Sequence, residues 1–385
     1  MEKLRGWLWG CAVLLLMVGC RAVSELEDLA EDGDWLMFRG DPTLGGYVDV
    51  ELPEHPTLQW EYKHGVRCVA SPLVENGVVY VCDKHGVMLG LDKKGGVVYR
   101  HDWGTEVEAS WVMRDSVMYV GQIDGRIRAL VRTSGREYWS HATEGQISAS
   151  PNWMVMDGRE WVMVGSYDGC LYVLDAETGK VNCRVETGYY VNGAAAVWGE
   201  YAVFGGCDAW LRVVNCRTGV VTDSMELKAY IPSSPVVQGE QVYVADYAGN
   251  VWEMRLRNGE ILSNRILLRS ADDEGGMLSM PAVTRDAVYV LAESRYLYCL
   301  NRDDGSVRWR KMLKGEVGES SPLVCGDRVL VCTKTGMVSI HDANTGDCLW
   351  EYETGEQIIS SPAITLDGFY VLTARGTLLY FGEKS

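Results

Sequence analysis

Residues 150–187 read SPNWMVMDGREWVMVGSYDGCLYVLDAETGKVNCRVET, and this one stretch contains the whole architecture in miniature. Ser150-Pro151 opens it, and two short apolar runs follow, separated by a polar turn. Asp168-Gly169 then makes a tight turn, where Gly supplies the positive φ that such turns need. Leu171-Tyr172-Val173-Leu174 alternates with the two-residue period of a strand, and Asp175-Ala176-Glu177-Thr178-Gly179 turns the chain into a fourth, outer run. Four short antiparallel strands in about 40 residues make one blade of a β-propeller.

The same grammar recurs along the chain. Pro-equivalent positions fall at 72, 111, 151, 195, 235, 281, 322 and 362, at intervals of 39 to 46 residues. Gly turns and β-branched runs rule out a helical solenoid of similar period. Gly96, Gly135, Gly179, Gly219, Gly259, Gly305 and Gly346 occupy the turn before the outer strand. Four residues beyond three of them stand Trp139, Trp309 and Trp350, whose indoles are placed to cover the Gly turn of a neighbouring blade. The eighth unit supplies only three strands before Ser385. Leu58-Gln59-Trp60-Glu61-Tyr62, with Trp60 in the outer-strand manner, is the candidate fourth. The expected fold is therefore all-β: an eight-bladed propeller of four-stranded antiparallel blades, its last blade closed by an N-terminal strand, which leaves the ring no open end.

Composition agrees and narrows the function. The chain of 385 residues has 20 Tyr and 14 Trp against 4 Phe, with 43 Gly, the profile of a turn-rich β protein. A net charge of −17 repels phosphate backbones, so nucleic acid is not an expected partner.

The first residues form an address. Lys3 and Arg5 precede an apolar stretch, Trp7 to Val18, too short to span a bilayer comfortably, and Gly19 precedes Cys20. Met17-Val18-Gly19-Cys20 resembles a bacterial lipobox, which makes residues 1–19 a lipoprotein-type signal peptide and Cys20 the lipidated residue. An ordinary cleaved signal or an uncleaved anchor are the alternatives, and all three export the chain. Arg21 after the Cys favours the outer membrane, facing the periplasm. Residues 20–34 form an acidic tether and residues 35–385 a single domain.

The combination of Ser-Ser-Pro, Val-Tyr-Val, Asp-Gly, Leu-Tyr-x-Leu-Asp, Thr-Gly and Trp resembles the pyrroloquinoline-quinone (PQQ)-type propeller repeat over residues 57–382, and Trp35-Leu36-Met37-Phe38-Arg39-Gly40 looks like the opening common in bacterial members. One branch of that family contains quinoprotein dehydrogenases. The other contains non-enzymatic lipoproteins of the outer-membrane β-barrel assembly machinery, which this chain resembles more in length, lipobox and bare blades. The resemblance implies a monomeric scaffold without a cofactor, held to the membrane by its lipid and binding a protein partner, either the assembly machinery or another envelope protein. An exported propeller for a carbohydrate, peptide or signalling protein is the alternative, and a PQQ-dependent dehydrogenase is a further one.

The residues speak against the enzyme. Many quinoprotein dehydrogenases carry an adjacent Cys pair over the cofactor, and none of the 12 Cys here is adjacent to another. No grouping of Glu, Asn and Asp matches a Ca²⁺–quinone pocket. The 6 His form no ligand pair; His85 reads as a solvated turn residue and His341, in the place of Leu174, as a partly buried structural one. Cys170 with Cys183, and Cys325 with Cys332, flank hairpin turns, so bridges and free core thiols both stay open. No catalytic, cofactor or metal residue is assigned. A partner is expected on the face that carries the inter-blade loops, whose longest member contains Arg269, Asp272, Asp273 and Glu274.

Overall fold

The computed structural model describes residues 33–269 and 276–383; the signal, Cys20, most of the tether, and Asp272, Asp273 and Glu274 lie outside the described residues. Eight sheets form a ring. Blade 1 is Leu73–Glu75, Val78–Cys82, Val87–Leu91 and Val97–Asp102, in that order from hub to rim, and each later unit repeats the pattern. The inner three strands of a blade are buried on both sides, which is why they read as near-continuous Val, Leu and Met. The outer strand alternates exposed with half-buried residues.

The ring closes as expected from the sequence. Strand β2 (Thr57–Lys63) runs antiparallel to Thr377–Gly382 and is the outer strand of blade 8, with Thr57 opposite Gly382, Lys63 opposite Thr377 and a bulge between Leu58 and Trp60. The Ser of the Ser-Pro signature forms a second closure at the hub. Ser71 N–H donates to Ser110 Oγ, Ser321 N–H to Ser361 Oγ, and Ser361 N–H to Ser71 Oγ at 2.9 Å, the last joining blade 8 to blade 1.

One feature of the ring goes beyond the repeat. The segment before β2 crosses the hub and gives up its carbonyls to one inner strand after another. Trp35 pairs with Val74 of blade 1, Leu36 O accepts from Met113 of blade 2, and Pro42 O from Asn152 Nδ2 of blade 3 and Val197 N of blade 4. Thr43, Gly45 and Gly46 then accept from Val237, Val283 and Val324 of blades 5, 6 and 7. The short strand β1 (Tyr47–Val48) ends the crossing, lying parallel to Leu323–Cys325 as a fifth strand of blade 7.

The outer-strand aromatics depart from a single rule. Trp60, Trp139 and Trp309 each lie against the Gly turn of the next blade (Gly95, Gly179 and Gly346) and donate Nε1–H to a carbonyl of that turn: Lys93 O at 2.9 Å, Ala176 O at 2.9 Å and Ala343 O at 3.1 Å. Trp350 covers no Gly turn among the described residues, because blade 8 takes its outer strand from β2; it packs edge-on against Phe369 and Phe381. Gly96 lies in the turn of the first unit, its N–H bonded to Asp92 Oδ1 at 2.9 Å. The left-handed residue of the first unit is Gly95, with φ +79°, because the turn from Asp92 is one residue shorter than the turn from Asp175 to Gly179. Gly135, Gly179, Gly219, Gly259, Gly305 and Gly346 do have positive φ.

Turns between the second and third strands are tied by aspartates. In Asp83, burial alone would raise the carboxyl, but bonds from His64 and from the N–H groups of Val87 and His85 hold it below its ordinary value. Asp124, Asp168 and Asp208 are depressed in the same way, burial opposing and bonds from Arg128, Tyr172 and Arg212 prevailing. Carboxyls depressed in the folded state stabilise it above their unfolded pKa of about 3.9, and that contribution is lost as pH falls through the folded value. The urea midpoint is therefore expected to drop steeply below about pH 4, and Asp83→Asn to flatten part of that drop; a midpoint unchanged down to pH 3 would contradict this.

Candidate functional site

The two kinds of connection that matter for binding share one face, here called upper. In all eight blades the turn between the second and third strands donates an N–H to the preceding inter-blade loop. Lys84 N bonds Arg67 O, Tyr167 N bonds Gln146 O, Cys207 N bonds Tyr190 O and Tyr247 N bonds Tyr230 O, at 2.8 to 3.1 Å. Each loop is thus pinned to a rigid blade, which suits a surface that must present side chains in fixed positions.

Blades 3 to 5 use this frame to present tyrosines. Tyr167 lies in the turn of blade 3, Tyr189 and Tyr190 in the loop to blade 4, Tyr230 in the loop to blade 5 and Tyr247 in the turn of blade 5. Tyr167 and Tyr190 stack at 4.8 Å with planes 14° apart, and Tyr189 leans on Tyr190 at 4.4 Å. Tyr230 and Tyr247 stack at 4.5 Å and 20°. Cys207, half-buried, stands between the two stacks. Tyr189 is 52% exposed, Tyr190 41%, Tyr230 39% and Tyr247 42%. Desolvation, with a bond to Tyr247, pushes the Tyr230 hydroxyl up to about 12, so that hydroxyl stays neutral at any physiological pH.

The loop singled out in the sequence adjoins this patch. Its described far end, Gly276, packs against Tyr247 and donates its N–H to Glu293 Oε2 at 2.9 Å. Its near end, Arg269, is exposed at the end of the longest outer strand, Glu260–Arg269. The sequence reading missed the tyrosines themselves. The signal was there: at the matching turn position the other units carry Lys84, Ile123, Cys207, Glu293, Lys334 and Ala374, so Tyr167 and Tyr247 stand out.

Among the described residues, the carboxylates near the hub do not gather into a set that fits Ca²⁺ beside a quinone. The lead-in segment occupies part of the hub, and Arg39, 1% exposed, puts its guanidinium among carbonyls of blades 6 and 7. The buried carboxylates are taken separately: Asp83 by His64, Glu75 by Arg132, Glu253 by Arg265, and Asp246 by Asn250 and Trp252. Among the described residues no three His, Cys, Asp or Glu gather closely enough to hold a metal ion. His341 is buried, bonded to Gly346 O and Ser339 Oγ, and burial lowers its pKa, while His85 is exposed in its turn. The ten described cysteines are free; across the ladder Cys183 faces Val173 rather than Cys170, and Cys332 faces Val338 rather than Cys325.

Comparison with known proteins gives a consistent picture. A family model described as outer membrane protein assembly factor BamB matches residues 93–288 and 269–383. The Legionella pneumophila outer membrane protein assembly factor BamB is 28% identical over 136 residues, 35% of this chain and 33% of that protein. The chain thus matches about a third of the length of this curated relative. Quinohemoprotein alcohol dehydrogenase ADH-IIG of Pseudomonas putida is 27% identical over 34% of this chain and 21% of its own. In structure, BamB from Moraxella catarrhalis superposes with a TM-score of 0.72 over 85% of this chain and 100% of its own, at 17% identity, which speaks for the fold.

Proposed function

Since the chain belongs to the propeller family whose model is described as outer membrane protein assembly factor BamB, we propose that it is a non-catalytic scaffold of the cell envelope that assists the assembly of outer-membrane β-barrel proteins. In this reading Cys20 carries the lipid, residues 1–19 are removed, and the monomeric propeller faces the periplasm with no cofactor of its own. The observation that carries it is the tyrosine patch. Exposed Tyr rings in stacked, loop-pinned pairs give a partner large apolar contact with a polar rim, and little rotamer freedom is lost on binding. We include Arg269, Asp272, Asp273 and Glu274 of the adjoining loop in the proposed contact as its charged part.

The doubly substituted Tyr190→Ser, Tyr230→Ser protein is expected to fold as the wild type does, since both rings lie at the surface, and to lose at least about tenfold in the recovery of its crosslinked envelope partner. Assembly-machinery proteins recovered equally by both forms would remove the patch from the function. The match to ADH-IIG keeps a dehydrogenase as the second reading. Dye reduction by the purified protein with added PQQ, Ca²⁺ and a primary alcohol would establish it in place of the scaffold.

A further inference from the structure

We propose that Cys183 and Cys216, free thiols in this structure, are a disulfide site that joins blade 3 to blade 4 once the chain is exported. This rests on the export proposed above and adds to the scaffold reading a covalent bond in the frame that carries the tyrosines.

The bond is prepared by a contact that repeats round the ring. Trp60, Trp139 and Trp309 each lie over the Gly turn of the next blade and donate to the carbonyl of that turn's second residue, Lys93, Ala176 or Ala343. Where blade 3 meets blade 4 the same two positions are Cys183 and Cys216, a pairing of Cys with Cys found at no other junction among the described residues. Cys183 follows Gly179 by four residues, as Trp139 follows Gly135, and Cys216 follows Asn215 as Ala176 follows Asp175. The geometry matches as well. A Cβ added to Gly219 would meet Cys183 Cβ at 2.7 Å, and Cys183 Sγ–H donates to Cys216 O at 3.6 Å. Asn182 Nδ2 donates to that carbonyl too, at 2.7 Å.

Each thiol reaches into the other's blade. Cys216 Sγ stands 3.8 Å from Met163 Sδ of blade 3. Met163, Val173 and Cys183 lie opposite one another across that blade, so they share the face turned to blade 4. Both cysteines are buried in one apolar cluster with Val185 and Val214. A sulfur in contact with its partner's main chain puts the two residues near the Cα separation of about 4.4–6.8 Å that a bridge requires. Rotation about the two Cα–Cβ bonds is the movement that brings the sulfurs together.

Oxidation needs a two-electron acceptor, and outside the cytoplasm another disulfide supplies it. One cysteine thiolate attacks that disulfide and expels a thiol; the second attacks the mixed disulfide and expels the other. Two protein thiols and one disulfide thus give the bridge and two released thiols. Burial pushes the Cys183 thiol up to about 11 and raises Cys216 as well, with Cys183 adding to that rise. Exchange therefore belongs to the stage before the junction closes, while both thiols keep their ordinary value of about 8.5. The finished bridge closes residues 183–216 into a loop that contains Tyr189 and Tyr190.

The test refolds the full-length protein from urea in a buffer of oxidised and reduced glutathione, alkylates the remaining thiols and maps the peptides by mass spectrometry. A peptide pair joining Cys183 to Cys216 is expected, and the oxidised protein is expected to melt about 5 °C above the same protein in reductant. Cys183→Ala is expected to leave Cys216 alkylated and to abolish that difference. Recovery of Cys183 and Cys216 as alkylated thiols, capped by glutathione or bridged to other cysteines, overturns the pairing and leaves the scaffold reading standing. The same map on protein taken from the cell envelope, with thiols blocked at lysis, reads the compartment. The bridge is expected there too, and free thiols at both positions would overturn its formation on export, whatever the tyrosine variants show.

Discussion

A chain shortened to begin at His64 is expected to show no cooperative unfolding transition at 25 °C. The missing residues close the ring twice. β2 carries six ladder positions along Thr377–Gly382 and packs Leu58, Trp60 and Tyr62 against the core formed around Phe381, Tyr370 and Leu379. Trp60 also bridges forward to blade 1, against Gly95 and onto Lys93 O. Ahead of β2, the lead-in takes the inner-strand N–H groups of Val74, Met113, Val197, Val237, Val283 and Val324. A buried donor left without a partner costs about 1–3 kcal/mol, so six of them rival the roughly 5–15 kcal/mol that holds a typical domain together. Water admitted to the opened hub would relieve part of this, but not the exposed face of blade 8. Circular dichroism and calorimetry read the outcome, and a synthetic peptide of residues 33–63 added in trans is expected to restore a transition. A shortened chain that melts cooperatively near the full-length temperature would show that closure does not depend on the N-terminal segment.

What could be read ahead of the structure follows from how local each signal is. A Gly that must adopt positive φ and a strand that alternates every two residues are properties of a few neighbouring positions, repeated eight times, so blade number and closure were visible in the chain. Position within a turn was less so. Asp92 to Gly95 and Asp175 to Gly179 differ by one residue, and two adjacent glycines hid which of them turns left-handed. Trp350 followed the spacing of Trp139 but met Phe381 in place of a Gly turn, because its surroundings belong to the irregular last blade.

The hub crossing was hardest to foresee, since its partners lie far along the chain and its bonds use backbone carbonyls that any residue possesses. Only side chains could have betrayed it, and one did. At the first position of the inner strand the units carry Leu73, Val112, Asn152, Ala196, Val236, Ala282, Leu323 and Ala363. Asn152, the single polar residue of that series, is fully buried and donates to Pro42 O at 2.8 Å and Ala195 O at 2.6 Å. A buried amide needs partners, so its presence among aliphatics was the trace of a visiting segment. The tyrosine patch escaped for the opposite reason: loop positions vary freely, and no rule of strand or turn calls for an aromatic there.

The same crossing makes Arg39 the most consequential single residue of the hub. Its Nε–H donates to Leu44 O at 2.9 Å, and its Nη groups donate to Pro281 O at 2.7 Å and Pro322 O at 3.2 Å, with Gly45 O at 3.4 Å. Burial lowers its pKa to about 10, a fall that nearby Asp41 partly offsets, so it remains a cation at neutral pH, and carbonyl dipoles supply most of its solvation. Arg39→Met keeps much of the volume and leaves those carbonyls without donors, and the expected loss is about 3–5 kcal/mol, seen as a lower urea midpoint. Arg39→Lys should fall between, because an ammonium keeps the charge but cannot fork toward two blades at once. Gly46→Ala should resemble the Met variant by another route: at φ +67° a Cβ there is strained, and it would run into the Arg39 guanidinium. None of the three touches the tyrosines, so whatever folded protein remains should bind the partner with unchanged affinity. A Met variant as stable as the wild type would mean that the guanidinium merely fills space, and that the crossing is held by its backbone bonds alone.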